Sequence, residues 1–184
     1  MVCDNEAMIA SLEDALVREF RACQSLQQVI TEERRSLVQH ETAALMPLVE
    51  QKEVILDELI RLEETRQACR QALDEFFEHQ DAKPSFPARR SLPDPAVRTR
   101  LGRLRKGIQA LFAELRELNQ GNQALAHSAL ENVQAILGLL PSQPIVHPQD
   151  GEHSSLIRQE AAYRAVLEVS RRTQEVAQLY ELPN

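Results

Sequence analysis

The sequence predicts an all-α fold: an elongated antiparallel three-helix bundle, or coiled coil, with a C-terminal fourth helix. Three observations predict it. Leu, Ala, Glu, Gln and Arg, the straight-chain helix formers, are abundant, while the 184 residues include only five glycines, two tyrosines and no tryptophan. Apolar residues recur at alternating steps of three and four over three long stretches. The nine prolines gather mainly where that rhythm stops, between residues 84 and 95 and between 141 and 148.

The first helix is expected over about residues 4–40. Ile9, Leu16, Cys23, Ile30 and Leu37 recur every seven residues, with Leu12 and Leu26 interleaved. Glu19 and Glu33 interrupt the second line, as expected where a third helix completes the core. His40-Glu41-Thr42 forms a polar break, and a second helix is expected over about 43–79. Pro47 belongs in its first turn; an earlier start would kink the helix there. Leu48, Ile55, Leu62, Cys69 and Phe76 repeat at seven, joined by Leu45, Leu59 and Leu73. Lys52 and Arg66 fall in the same seam and are expected to snorkel their charges outward. Two helices of similar length on a short turn make an antiparallel hairpin.

Residues 80–94 read as a proline-rich linker, and the third helix is expected over 95–140. Asp94 suits its cap and Pro95 its first position. Val97, Leu101, Leu104, Ile108, Leu111, Leu115 and Leu118 mark one seam, which Asn122, Leu125, Ala129, Asn132 and Ile136 extend. At about 1.5 Å per residue this rod is close to 70 Å long and needs other helices against its seam. The expected domain is thus 1–140, followed by a proline-rich connector at 141–153 and an amphipathic segment at 154–184. There Leu156, Tyr163, Val166, Val169, Val176 and Tyr180 share one broad face. A helix of this length is marginal without a packing partner. Two outcomes are open: it docks on the bundle, or it awaits another protein.

Charge and chemistry narrow the function classes. The net charge is −7, with 17 acids and 8 bases in residues 1–80 and an excess of bases in 81–116. The basic run (Arg89, Arg90, Arg98, Arg100, Arg103, Arg105, Lys106) has no interleaved aromatic and no accompanying nucleic-acid motif, so it reads as a solvated face. Cys3, Cys23 and Cys69 have no paired spacing and fit reduced thiols, with a Cys23–Cys69 disulfide as the minor alternative. No apolar stretch reaches 18 residues and the N-terminus lacks a signal-peptide pattern, so a cytoplasmic chain without membrane insertion is expected. None of the five histidines follows a Glu at the di-iron spacing, and no zinc motif, phosphate loop or nucleophile elbow occurs. His127 reads as a hydrogen-bonded structural residue near the seam. The acid pairs Glu32/Glu33, Glu63/Glu64 and Asp74/Glu75 read as exposed helix faces. No enzyme, metal or cofactor is expected.

Asn119 and Asn122, three apart around Gly121, share a helix face. A buried asparagine without partners costs roughly 1–3 kcal/mol. The pair is therefore a polar layer that fixes register, the mark of a bend near Gly121, or a contact spot for a partner helix.

Three stretches carry a family resemblance. They are Glu32-Glu33-Arg34-Arg35-Ser36-Leu37 followed by Ala44-Leu45 and Leu48 to Leu56; Leu59-Ile60-Arg61-Leu62-Glu63-Glu64-Thr65-Arg66; and, most telling, Leu115 to Leu125 with its Leu-x-x-x-Asn-x-x-Asn-x-x-Leu run. In this order, across about residues 5–151, the chain resembles the FlgN-type flagellar export chaperones. The resemblance implies a cytoplasmic, non-enzymatic chaperone that holds hook–filament junction proteins by their C-terminal helices before type III export. It also implies the export gate or ATPase complex as a further partner. Its C-terminal region would engage cargo, making Leu156, Tyr163, Val166, Val169, Val176 and Tyr180 candidate contacts beside Asn119 and Asn122. Family members often carry a Tyr-Gly-x-Asp-Gly-like turn for gate contact. Here it reads His147-Pro148-Gln149-Asp150-Gly151, with His147 in the tyrosine's place. The runner-up is a generic coiled-coil scaffold or self-assembling adaptor; preferred cargo and oligomeric state stay open.

Overall fold

In a computed structural model the described residues are 2–81, 95–139 and 150–180. They form four helices: α1 (Val2–Gln39), α2 (Thr42–Asp81), α3 (Pro95–Leu139) and α4 (Asp150–Leu179). Among them α1 packs against α2 and α3, and α4 packs against α3 and α2. No Cα of α2 lies within 8 Å of one in α3, nor any of α1 near one of α4. The four rods thus stand at the corners of a square, in the order α1, α2, α4, α3.

The turn between α1 and α2 is closed by hydrogen bonds, not by a glycine. His40 adopts a left-handed backbone, φ 56°. Its N–H donates to Leu37 O at 3.3 Å while Glu41 N–H donates to Ser36 O at 2.9 Å. These two bonds are the paired closure of a Schellman motif, which satisfies carbonyls that a helix end otherwise leaves orphaned. Glu41 O then accepts from Ala44 N–H at 3.0 Å, starting α2. Pro47 lies inside α2, in its second turn. Its ring removes only the bond to the carbonyl of Ala43, which is exposed and can face water.

Direction follows from cross-helix pairs. Glu19 meets Arg66 and Glu33 meets Lys52, so α1 and α2 are antiparallel. Glu13 pairs with Arg100, and Arg34 lies against Gly121, so α3 runs parallel to α1. A Cβ at Gly121 would come within 2.6 Å of Arg34 Nη1, so the glycine makes room for a guanidinium. Lys52 meets Ser170 and Leu59 meets Tyr180, which makes α4 parallel to α2.

The core runs through all four rods: Leu26, Ile30 and Leu37; Leu45, Leu56 and Leu59; Ile108, Phe112, Leu115 and Ala126; Tyr163, Val166, Val169 and Val176. The expected fold class, an all-α bundle with a C-terminal fourth helix, is the one observed. Of the two outcomes open for that helix, docking is the one seen. The approach of α2 to α3 that a closed three-helix bundle requires is absent, because α4 stands between them and supplies the apolar side chains.

Three expectations from the sequence are corrected. Lys52 and Arg66 do not snorkel: Lys52 is fully buried and Arg66 nearly so. Glu33 and Glu63 do not lie on exposed faces but are buried among these bases. His127 is exposed instead of lying near the seam. Cys23 and Cys69 are free thiols, and burial pushes that of Cys23 up to about 12.

Candidate partner-binding interface

One helix, α4, carries most of the candidate residues. Its small and β-branched positions recur so that Ala162, Tyr163, Val166, Val169, Ser170, Thr173, Val176, Ala177 and Tyr180 all face the core. Leu156, near its start, is half-buried. The face expected to meet a partner is therefore turned onto α2 and α3. His147 lies outside the described residues.

Two buried polar clusters fasten α4. In the upper one, Lys52 Nζ donates to Glu33 Oε1 and Oε2 at 3.1 and 3.0 Å, to Asn119 Oδ1 at 3.0 Å and to Ser170 Oγ at 3.3 Å. Each helix supplies one member. Asn119 Nδ2 donates to the main-chain carbonyl of Ser170 at 2.9 Å, so its amide reads both the side chain of α2 and the backbone of α4. Asn122 turns the other way, donating to Ile30 O and Glu33 Oε1, each at 2.8 Å. Its own Oδ1 has no partner among the described residues. Burial pushes the Lys52 ammonium below the ordinary lysine range, and the adjacent Glu33 carboxylate opposes that push.

The lower cluster sits two heptads away along α1 and α2. Arg66 Nε donates to Glu63 Oε2 at 2.9 Å, and Nη2 donates to the same oxygen. Gln67 Nε2 donates to Glu63 Oε1 at 2.7 Å. Tyr180, at the end of α4, donates its hydroxyl to Leu59 O at 3.0 Å and stacks on Phe112 with ring centroids 4.2 Å apart. Arg66 stands 6.0 Å from that tyrosine ring. Glu19 Oε1 is 3.3 Å from Arg66 Nε, yet among the described residues neither carboxylate oxygen has a hydrogen-bond donor, because the Nε proton points at Glu63. Burial raises the Glu19 carboxyl to about 7; Arg66 pulls it down and Glu63 pushes it up. A cavity of about 20 Å³ borders Glu19, Arg66, Gln109 and Tyr180, the size of a single water.

Sequence reasoning singled out Asn119, Asn122 and the apolar face of α4 as partner contacts. The structure brings Asn119 and that face together around Lys52, and places Asn122 at the α1–α3 contact instead. It missed Glu19, Glu33, Lys52, Arg66 and Ser170. The signal was present in part: each acid and each base sits on an otherwise apolar heptad line. Among the described residues no group of His, Cys, Asp or Glu is placed to hold a metal ion, and no helix is long and apolar enough to cross a membrane.

What the arrangement can do is bind helices, through a corner that accepts an amphipathic segment with a small hydroxyl residue opposite Lys52 and an aromatic residue against Phe112. No curated protein and no solved structure matches the chain. The FlgN protein family does, over residues 8–144, covering most of α1, all of α2 and α3, and the asparagine pair. The chain belongs to the FlgN family of flagellar export chaperones.

Proposed function

We propose that this chain holds hook–filament junction proteins in the cytoplasm and keeps them from assembling before type III export. In this reading the C-terminal helices of the cargo engage the inward face of α4. One observation supports it above the rest: among the described residues the backbone of α4 approaches those of α2 and α3 and not that of α1, so it can leave its corner while the α1–α2 hairpin and the α1–α3 seam stay paired. Its departure would present Tyr163, Val166, Val169, Val176 and Tyr180 on one surface and Asn119, Lys52 and Phe112 on the other. Asn122, bound to Ile30 and Glu33, would stay in place. Cargo would supply the missing apolar area, in the helix-in-groove manner. Contact with the export gate or ATPase complex through the stretch that includes His147 belongs to the same reading.

Locking α4 tests this without unfolding it. Asp57 on α2 and Arg172 on α4 form an exposed ion pair. With the native cysteines replaced by serine, Asp57→Cys together with Arg172→Cys would tie the two helices by a disulfide. The expected result is binding of isolated junction-protein C-terminal segments at ~1 µM or tighter in reductant, and loss of at least tenfold on oxidation. Deleting residues 153–184 should abolish binding. Equal titration curves for locked and open protein would sink the α4 reading. A fixed homo-oligomer that retrieves neither junction protein would point to a scaffold instead.

A further inference from the structure

Glu19 is fully buried, and among the described residues neither of its carboxylate oxygens has a donor. The groups that face it come from all four helices. On α1 the Cys23 thiol lies one turn further along. Helix α2 brings Arg66, with Nε 3.3 Å from Oε1, and the Glu63 carboxylate. Helix α3 brings Arg105 and Gln109 across the cavity of about 20 Å³, and α4 brings the Tyr180 hydroxyl. The protons that could serve the carboxylate are committed elsewhere: Arg66 Nε and Nη2 to Glu63, and the tyrosine hydroxyl to Leu59 O. As a neutral acid the same side chain carries a proton of its own, which the tyrosine oxygen or Glu63 can accept. These surroundings suit the neutral form, in keeping with a carboxyl that burial raises to about 7.

Once ionised, Glu19 needs donors that only water or a displaced neighbour can give. The cavity has room for a single water, so further hydration requires a wall to move. Three of the walls are held along their length, α2 and α3 each packing on α1. The fourth is Tyr180, and α4 ends at Leu179. A helix end opens at lower cost than a helix middle. Roughly 15 Å back along α4, Ser170 is held by Lys52 and Asn119, where the buried charge is paired. Ionisation of Glu19 therefore strains one end of α4 and leaves the other fastened.

We propose that Glu19 is a proton-operated latch for the C-terminal end of α4: neutral Glu19 lets Tyr180 seat on Leu59 and Phe112, and its ionisation releases that end while the Lys52 layer holds the rest. The sign follows from linkage. With Tyr180 seated the carboxyl titrates near 7; with the end lifted, water reaches Glu19 and its titration returns toward 4.5. The seated end is thus most favoured below 4.5, loses about tenfold in equilibrium constant per pH unit between the two values, and levels off above 7. The latch bears on the proposed function only as a condition on the release of α4. It is tested without cargo, so its failure leaves the junction-protein reading standing, and the converse holds.

Amide exchange in the isotope-labelled full chain, corrected for the intrinsic rate at each pH, reads the latch directly. Protection at Val176 and Ala177 is expected to fall by about tenfold or more between about pH 5 and about pH 7 and then to level off. Above pH 7 it should lie about tenfold or more below that of Val166 in the same helix and of Leu56 in α2. Glu19→Gln, neutral at every pH, should abolish the dependence and keep Val176 and Ala177 protected. The Glu19 carboxyl carbon should titrate near 7 in the native chain and closer to 4.5 in Tyr180→Ala, whose α4 end has lost its anchor. Protection that does not change with pH would overturn the proposal. So would a dependence that survives Glu19→Gln, which would pass to an imidazole such as His127 or His153. Equal protection at Val176, Val166 and Leu56 above pH 7 would also overturn it, because Glu19 would then govern the whole fold and not one end of α4. So would a Glu19 midpoint unmoved by Tyr180→Ala, because α4 would then not be what shuts water out.

Discussion

The two buried polar clusters are built from the same parts and end in different states. Each pairs a glutamate of α1 with a base of α2, Glu33 with Lys52 and Glu19 with Arg66, two heptads apart. In the upper cluster the lysine is a compact ammonium whose donors reach acceptors on α1, α3 and α4. In the lower one the guanidinium is planar, and two of its N–H groups go to Glu63 on its own helix, which leaves Glu19 with a neighbouring charge and no hydrogen bond. The difference is geometric. A point charge with rotatable donors can serve several helices at once, whereas a fixed fork commits to one carboxylate. A satisfied buried pair costs little to keep, while an orphaned carboxylate is costly in its charged form.

Breaking the satisfied cluster should have the largest effect. Lys52→Met leaves the Glu33 carboxylate buried among Asn119, Asn122 and apolar side chains, with no cation. A loss of about 3–5 kcal/mol is expected, measured as the shift in urea midpoint at unchanged slope. Combining Lys52→Met with Glu33→Leu should recover most of that loss, because no buried charge then remains. If the double variant is as unstable as the single one, the ammonium is acting as more than the counter-charge of Glu33.

The unsatisfied cluster should respond with the opposite sign. The Glu19 carboxyl titrates near 7 in the fold against an ordinary 4.5, so the folded chain holds a proton there that the unfolded chain releases. Its contribution is fully present below pH 4.5 and is lost as pH rises through 7. Glu19→Gln, which cannot ionise, should therefore stabilise the chain at pH 8 by about 1–3 kcal/mol, with the gain vanishing toward pH 4.5. Thermal unfolding of both proteins across that range checks it. A gain that is flat with pH would mean that packing, not ionisation, separates the two side chains.

This contrast was only half legible in the sequence. The all-α class followed from steps of three and four that no strand can use, and the asparagine pair carried the family likeness. Glu19, Glu33, Lys52 and Arg66 were each visible as charges on apolar lines. Read one helix at a time, a long base on such a line is assigned to the nearest solvent, which is how Lys52 came to be placed outside. What puts Lys52 inside is the coincidence of its level with Glu33 across an antiparallel hairpin and with Asn119 and Ser170 on two further helices. That coincidence is a property of the register between helices, which the period of a single helix does not encode. The docking of α4 was undecidable for the same reason: its apolar face is broad, and the groove that receives it exists only once α2 and α3 have both packed on α1.

The smallest predicted effect tests how finely α4 is specified. In Ser170→Ala the Lys52 ammonium loses one acceptor of four and keeps both Glu33 oxygens and Asn119 Oδ1. The Asn119 amide still donates to the main-chain carbonyl at position 170, which the substitution does not touch. No charge is stranded, and alanine is the better helix former, so the net cost should be about 0.5 kcal/mol or less. Amide exchange along α4 is the sensitive readout, and protection at Val166 and Val169 should fall by less than about threefold. A larger loss would mean that the serine hydroxyl selects α4 for its corner. A loss this small means that the corner requires only a small residue opposite Lys52, so that α4 is held there by shape and by the Asn119 amide and not by its own hydroxyl.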